Sequence, residues 1–140
     1  GYDHVIDYRT QDFAAEIDRI TDGHGVDVVY DSVGNDTMAK SLTATRRHGT
    51  VVNFGQSSGP YTDFQIKDLA IGSLYLTRPT LFHFTAERAW LEEASADMFE
   101  RIANGGLSVA INQHVPLGDV ADVHRALAGR QTTGCTVLTV

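Results

Sequence analysis

Residues 26–34 read Val26-Asp27-Val28-Val29-Tyr30-Asp31-Ser32-Val33-Gly34, and this stretch decides the fold class. Five of its nine residues are Val or Tyr, in a nearly unbroken apolar run. That is the composition of a strand covered on both faces, as in a parallel α/β sheet. The run stops in Asp31-Ser32-Val33-Gly34-Asn35-Asp36, a small polar turn ahead of a helical pattern. Ligands of parallel sheets sit beyond the carboxyl ends of the strands, so core and site are both expected on this one segment. A strand of this kind is normally accompanied by a glycine-rich phosphate loop, and none stands near it here.

Working outward, Val5 and Ile6 with Tyr8 suggest a short strand, and Thr10 a helix N-cap. Phe13, Ile17 and Ile20 then make a helical stripe between Asp12 and Thr21, with Asp12 as acid in the first turn and Gly23-His24-Gly25 as the stop. On the other side, a helix is expected from about Asp36 to Thr45, with Met38 and Leu42 on one face. Arg46-Arg47-His48 suits its carboxyl end, and Gly49 breaks it. Thr50–Phe54 reads as a strand running into Gly55-Gln56-Ser57-Ser58-Gly59-Pro60, a tract of turn formers. Phe64–Ile71 is a brief helix at most, and Gly72–Thr77 a further strand closed by Arg78-Pro79. A long helix follows from about Thr85 to Ala103, with Leu91, Ala94, Met98 and Ile102 in its stripe and Asn104-Gly105-Gly106 as the stop. Leu107, Val109, Ile111, Gln113 and Val115 alternate as in a half-buried strand ended by Pro116. Asp119 is placed to cap a helix with Val120, Val123 and Leu127 inward, and Asp122 sits at capping-box spacing from it. After Gly129, Cys135–Val140 forms a terminal strand. The alternation of strands and helices is that of an α/β fold.

The 140 residues fit one domain, with an ordinary 42% hydrophobic and 21% charged composition. A net charge of -7 argues against nucleic acid or an anionic membrane as main partner, while leaving room for a local phosphate pocket. No apolar run approaches the roughly 18 residues of a membrane span. The single cysteine, Cys135, allows neither an internal disulfide nor a multi-cysteine zinc site, which fits a reducing, cytoplasmic location. Gly1-Tyr2-Asp3-His4 carries neither an initiator Met nor a basic or apolar leader, and a fragment or truncated gene product is expected.

With parallel strands, the loops at Tyr8-Arg9, Ser32–Asn35, Gly55–Ser58 and Arg78–Thr80 share one edge of the sheet. Glycines let a ligand approach the backbone there, and hydroxyl and amide groups supply hydrogen bonds, so a nucleotide-sized ligand is favoured. The six histidines are scattered without metal-ligand spacing. Ser57 and Ser58 lie in no nucleophile elbow, His83 between two phenylalanines suits packing, and Glu92-Glu93 suits a solvated face. Trp90 reads as a core or interface residue and Cys135 as strand core.

Several segments, in register, carry a family likeness: Gly1–Arg9, Gly25–Gly34, Val51–Gly59, Gly72–Leu81 and Arg130–Gly134. Together they resemble the zinc-independent quinone oxidoreductases of the medium-chain dehydrogenase/reductase superfamily, over essentially the whole chain. The resemblance implies an NADPH-dependent, metal-free reductase of quinones, enones or similar electron-poor carbonyl compounds. Hydride passes directly from nicotinamide to acceptor, and the protein supplies position and electrostatics. It implies that Tyr8 and Arg130 hold the adenosine 2′-phosphate, a match of phenol and guanidinium donors to a dianionic oxygen cluster. Ser32 and Val33 would lie against the adenosine and bridging phosphates. Phe54, Gly55, Gln56 and Ser57 would line the dinucleotide cleft, and Pro79, Thr80 and Leu81 would meet the nicotinamide end. No catalytic residue is assigned.

Relatives of that family are more than twice as long. Their barrel domain and first two nucleotide-fold strands, with the glycine-rich loop, have no counterpart in this sequence. The implied fold is therefore a partial Rossmann-type parallel sheet with flanking helices over residues 1–106. Residues 107–140 would be a strand-helix-strand segment returning to the catalytic domain. The parent protein would be an enzyme and this chain alone inactive. The alternative is a non-catalytic, self-associating Rossmann-like module with weak or no nucleotide binding. The Gly72–Thr77 strand resembles an edge strand that pairs across a two-fold axis, which implies a homodimer.

Overall fold

In the computed structural model, which describes residues 2–140, Val26–Asp31 forms strand β1 and pairs in parallel with β2, Thr45–Asn53. Strand β3, Tyr75–Thr77, pairs in parallel with the other side of β2, giving the sheet order β1-β2-β3. Two helices precede β2: α1, Phe13–Ile20, and α2, Met38–Ala44. Met38 and Leu42 stand one turn apart on α2 and pack on Val51 and Leu74, with Val29, Tyr61, Leu69 and Leu76 around them. Val51 is fully enclosed, and Val29 lies opposite it in the ladder. The core therefore sits between α2 and one face of the sheet. These elements make up a compact unit that ends at His83; a second runs from Phe84 to Val140.

The apolar run 26–34 is a strand, but it is not covered on both faces. Val29 and Asp31 turn inward, while Val28 is 44% and Tyr30 73% exposed. Strand side chains alternate between faces, and in this unit the core occupies only one of them.

Several local expectations are corrected. Val5 and Ile6 form no strand. A strand requires a ladder partner for its amides; here the chain instead turns at Asp7, whose carbonyl accepts from the Thr10 and Gln11 N–H groups. The α1 cap is Asp12 rather than Thr10: the Asp12 carboxylate accepts from the Ala14 and Ala15 amides at 3.1 and 3.3 Å. Lys40 Nζ donates to the same carboxylate at 2.9 Å, tying α1 to α2. Arg46-Arg47-His48 belongs to β2 and does not end the helix. Arg46 pairs with Asp27 on β1, and the ladder jumps from Val26–Thr45 to Val28–Thr50, leaving the intervening β2 residues as a bulge. Within it His48 is left-handed (φ 56°) and donates its N–H to the Gly72 carbonyl. Gly49 is thus a bulge residue, not a helix breaker; a Cβ there would lie 2.5 Å from Thr45 Cγ2. Finally, Phe54 lies beyond β2, and Ile66–Ile71 is a 3₁₀ turn with a capping box between Gln65 and Asp68.

The long helix expected from about Thr85 to Ala103 is α4, Arg88–Ala103, and a separate single turn, α3 at Leu81–Phe84, precedes it. Strand β4, Ile111–Pro116, is followed by a 3₁₀ turn at Leu117–Asp119, helix α5 at Val120–Ala128, and β5, Cys135–Thr139, which pairs in parallel with β4. No described residue from Phe84 onward is buried. Leu127 is 62% exposed where an inward position was expected, and Cys135 is exposed rather than core. Asp119 takes the cap position without a side-chain bond, and Asp122 pairs with Arg125 in place of a capping box. Trp90 meets the Phe84 ring at 6.1 Å.

Candidate functional site

Because β1, β2 and β3 are parallel, the loops Ser32–Asn35, Gly55–Gly59 and Arg78–Thr80 leave the same edge of the sheet. The first two are joined by main-chain hydrogen bonds. Phe54 N–H donates to the Asp31 carbonyl at 2.9 Å, Ser57 N–H to Ser32 at 3.2 Å and Ser58 N–H to Val33 at 2.9 Å. Asn35 N–H returns a bond to the Gly59 carbonyl at 3.0 Å. The Ser58 hydroxyl donates to the Val33 carbonyl at 2.8 Å and accepts from Asp36 N–H at 3.0 Å.

Two glycines permit this approach. A Cβ on Gly55 would stand 2.4 Å from the Ser32 oxygen and 2.8 Å from its Cα. Gly34 has φ 89°, and its Cβ would stand 2.6 Å from the Gly59 oxygen. The third loop is tied on by Arg78, whose Nη1 donates to the Asn53 carbonyl at 2.9 Å.

Sequence reasoning passed over Asp31. It ends β1 at 4% exposure, and its carboxylate accepts from Val33 N–H (2.9 Å), Gly34 N–H (2.8 Å), Thr37 Oγ1 (2.8 Å) and Ser41 Oγ (2.7 Å). Burial pushes the carboxyl up, and the bonds from Gly34, Ser41, Thr37 and Val33 together outweigh it, leaving it below its ordinary value. The signal for part of this was present. An Asp at a strand end followed by a glycine turn is an Asx motif, bonding the amides two and three residues on.

The predicted site residues fall as follows. Ser32, Gln56, Ser57 and Thr80 expose hydroxyl and carboxamide groups at the common edge, with Val33, Gly55 and Pro79 half-buried beside them. Phe54 meets the Tyr30 ring edge-on at 6.4 Å and is half exposed. Leu81, 68% exposed, begins α3. Tyr8 is brought to the same edge by another route, since it and Val33 line one cavity of about 230 Å³ beside β1, with Ile6, Phe13, Ile17 and Tyr30. Arg130 belongs to the second unit, just after α5, with φ 55°. Among the described residues, no group of three or more His, Cys, Asp or Glu could hold a metal ion.

Comparison with known proteins places this edge in context. The family described as zinc-binding dehydrogenase matches residues 1–138. A 2-haloacrylate reductase from Burkholderia sp is 41% identical over 140 residues, covering 99% of the chain and 42% of the relative. Quinone oxidoreductase 1 of Escherichia coli is 42% identical over 137 residues, 96% of the chain and 42% of the relative. The crystal structure of the Escherichia coli quinone oxidoreductase complexed with NADPH superposes with a TM-score of 0.94 at 41% identity, over 100% of this chain and 44% of that one. The chain thus spans about two fifths of the length of these relatives. It corresponds to their carboxyl-terminal, Rossmann-like α/β part.

Proposed function

The chain belongs to the zinc-binding dehydrogenase family, and from that premise we propose that it is the NADPH-binding part of an oxidoreductase. The whole enzyme transfers hydride from NADPH to quinones or similar electron-poor carbonyl acceptors. The observation that carries this reading is the shared carboxyl edge, where three parallel strands deliver loops bonded into one surface. Its likeness to a quinone oxidoreductase complexed with NADPH supports the cofactor, and the quinone oxidoreductase and 2-haloacrylate reductase relatives support the acceptor class.

The residues present fit parts of a dinucleotide. Exposed hydroxyls at Ser32 and Ser57 and the Gln56 carboxamide suit ribose and amide groups. Tyr8 beside Val33 suits an adenosine end with a 2′-phosphate, which favours NADPH over NADH; Arg130, in the second unit, carries a guanidinium of the chemistry such a phosphate takes. Phe54 and Gly55 line the cleft, and Pro79, Thr80 and Leu81 take the nicotinamide end. When bound, NADPH supplies the hydride; these side chains orient it and fix its phosphate end. We read the enzyme as zinc-independent, because the six histidines of the sequence show no metal-ligand spacing. Residues 1–106 act as the nucleotide part and 107–140 as a segment of the catalytic domain. The enzyme works in the cytoplasm, without nucleic acid or membrane as partner, and as a homodimer through the Gly72–Thr77 edge.

A second reading applies to these 140 residues taken alone. They contain no glycine-rich pyrophosphate loop, so the isolated chain is a non-catalytic, self-associating module that binds nucleotide weakly or not at all. Calorimetric titration separates the cases. Saturable NADPH binding with a Kd of about 10 μM to 1 mM, tighter than NADH, is the expected result. Low-micromolar affinity removes the second reading, whereas no saturation by either nucleotide supports it and removes NADPH binding by the isolated chain.

A further inference from the structure

Asp31 holds a full negative charge at the edge where an anionic dinucleotide is read to bind, yet it is 4% exposed and all its partners are hydrogen-bond donors from its own chain. Asp31 lines the Tyr8–Val33 cavity with Thr37 and Ser41, but both its oxygens are taken up by donors of its own chain, and its Coulomb effect on a bound phosphate is repulsive. Its contribution has to be geometric. Val33 and Gly34 donate to it from the turn, and Thr37 and Ser41 from the start and second turn of α2, so one group fixes both the turn and the helix entry. With the turn fixed, the carbonyls of Ser32 and Val33 point at the Ser57 and Ser58 amides on the neighbouring loop. Gly55 sits so close to Ser32 that any Cβ at position 55 would overlap the Ser32 backbone.

We propose that Asp31 is the positioning residue of the cofactor edge: its buried, fully bonded carboxylate locks the Ser32–Gly34 turn in the one shape that welds both loops into a single surface for the dinucleotide. This rests on the NADPH reading above. The requirement is for acceptors in a fixed geometry rather than for charge. Asparagine at 31 retains an acceptor for the two amides, and the Thr37 and Ser41 hydroxyls can rotate to accept from its NH₂. Alanine leaves the two turn amides unpaired.

NADPH titration followed by amide NMR on the whole chain tests the idea. Asp31→Ala is expected to weaken binding by about tenfold or more, with Asp31→Asn within about threefold of the unsubstituted chain and Ser41→Ala between them. The Ser57 and Ser58 amide signals, which touch Asp31 only through Ser32 and Val33, shift in the alanine variant and return in the asparagine one. A merely stabilising role would leave those signals in place in every variant that stays folded. Unchanged affinity in Asp31→Ala, or an asparagine variant as weak as alanine, overturns the proposal while the NADPH reading stands. Should Asp31→Ala not fold, Ser41→Ala decides, and an unaltered Kd there overturns it. An unsubstituted chain to which NADPH does not bind carries no cofactor edge of its own, and this proposal falls with it.

Discussion

Among the described residues no cation faces Asp31, so four hydrogen-bonding groups stabilise its charge in place of an ion pair. Burial raises the carboxyl's pKa, and the bonds from Gly34, Ser41, Thr37 and Val33 lower it further than that. A folded-state pKa below the unfolded one means that the group stabilises the fold above the unfolded value, about 3.9, and ceases to as pH falls through the folded value. Asp12, Asp27 and Asp97 shift the same way beside Lys40, Arg46 and Arg101, but they are exposed and contribute little. Urea unfolding of the chain and of Asp31→Asn should therefore differ most near neutral pH, with the gap narrowing as the pH is taken down past the unfolded value, about 3.9. A gap that stays constant over that fall in pH would show that the Asp31 charge makes no contribution.

At the scale of elements, α2 and β2 carry the packing. Val51→Ala is expected to cost about 2–3 kcal/mol in urea unfolding, because nothing can relax into a fully enclosed site. Val28→Ala, on the same ladder but 44% exposed, should stay within about 0.5 kcal/mol. An equal loss at both positions would contradict the one-sided core. The elements with local signals were legible in the sequence: the stripe of α1, Met38 and Leu42 on α2, and the loop glycines. The start of β2 was not. Arg46-Arg47-His48-Gly49 has the charge and the glycine of a helix end, and only Asp27 on the adjacent strand makes it a bulged strand. The Val5-Ile6 segment failed for the converse reason: its side chains suit a strand, but a ladder needs a partner. The loop edge could be read from strand order alone. The Asp31 network could not, since Thr37 and Ser41 reach it only after α2 has formed.

For the whole molecule, the sheet ends matter most. β3 is short and on the sheet edge, with Tyr75 63% exposed. An exposed apolar edge invites a second strand. Light scattering at tens of micromolar, about ten times a weak dimer's Kd, should give twice the 15.3 kDa chain mass. A charged substitution at the exposed edge position, Tyr75→Lys, should return it to the single-chain value. A monomeric mass for the unsubstituted chain would eliminate the β3 dimer. From Phe84 onward no described residue is buried, and large apolar side chains such as Phe99 and Leu127 are more than half exposed. The register of β1 with β2 has one more consequence, and it concerns time. These strands lie closer in sequence than any other parallel pair in the molecule, and α2 closes the connection between them. Loop-closure entropy is therefore smallest here, and Met38, Leu42, Val29 and Val51 are all on hand once Asn53 has been synthesised. A chain growing from the ribosome can bury this apolar cluster at that moment, before β3 exists, and β3 then joins a surface already formed.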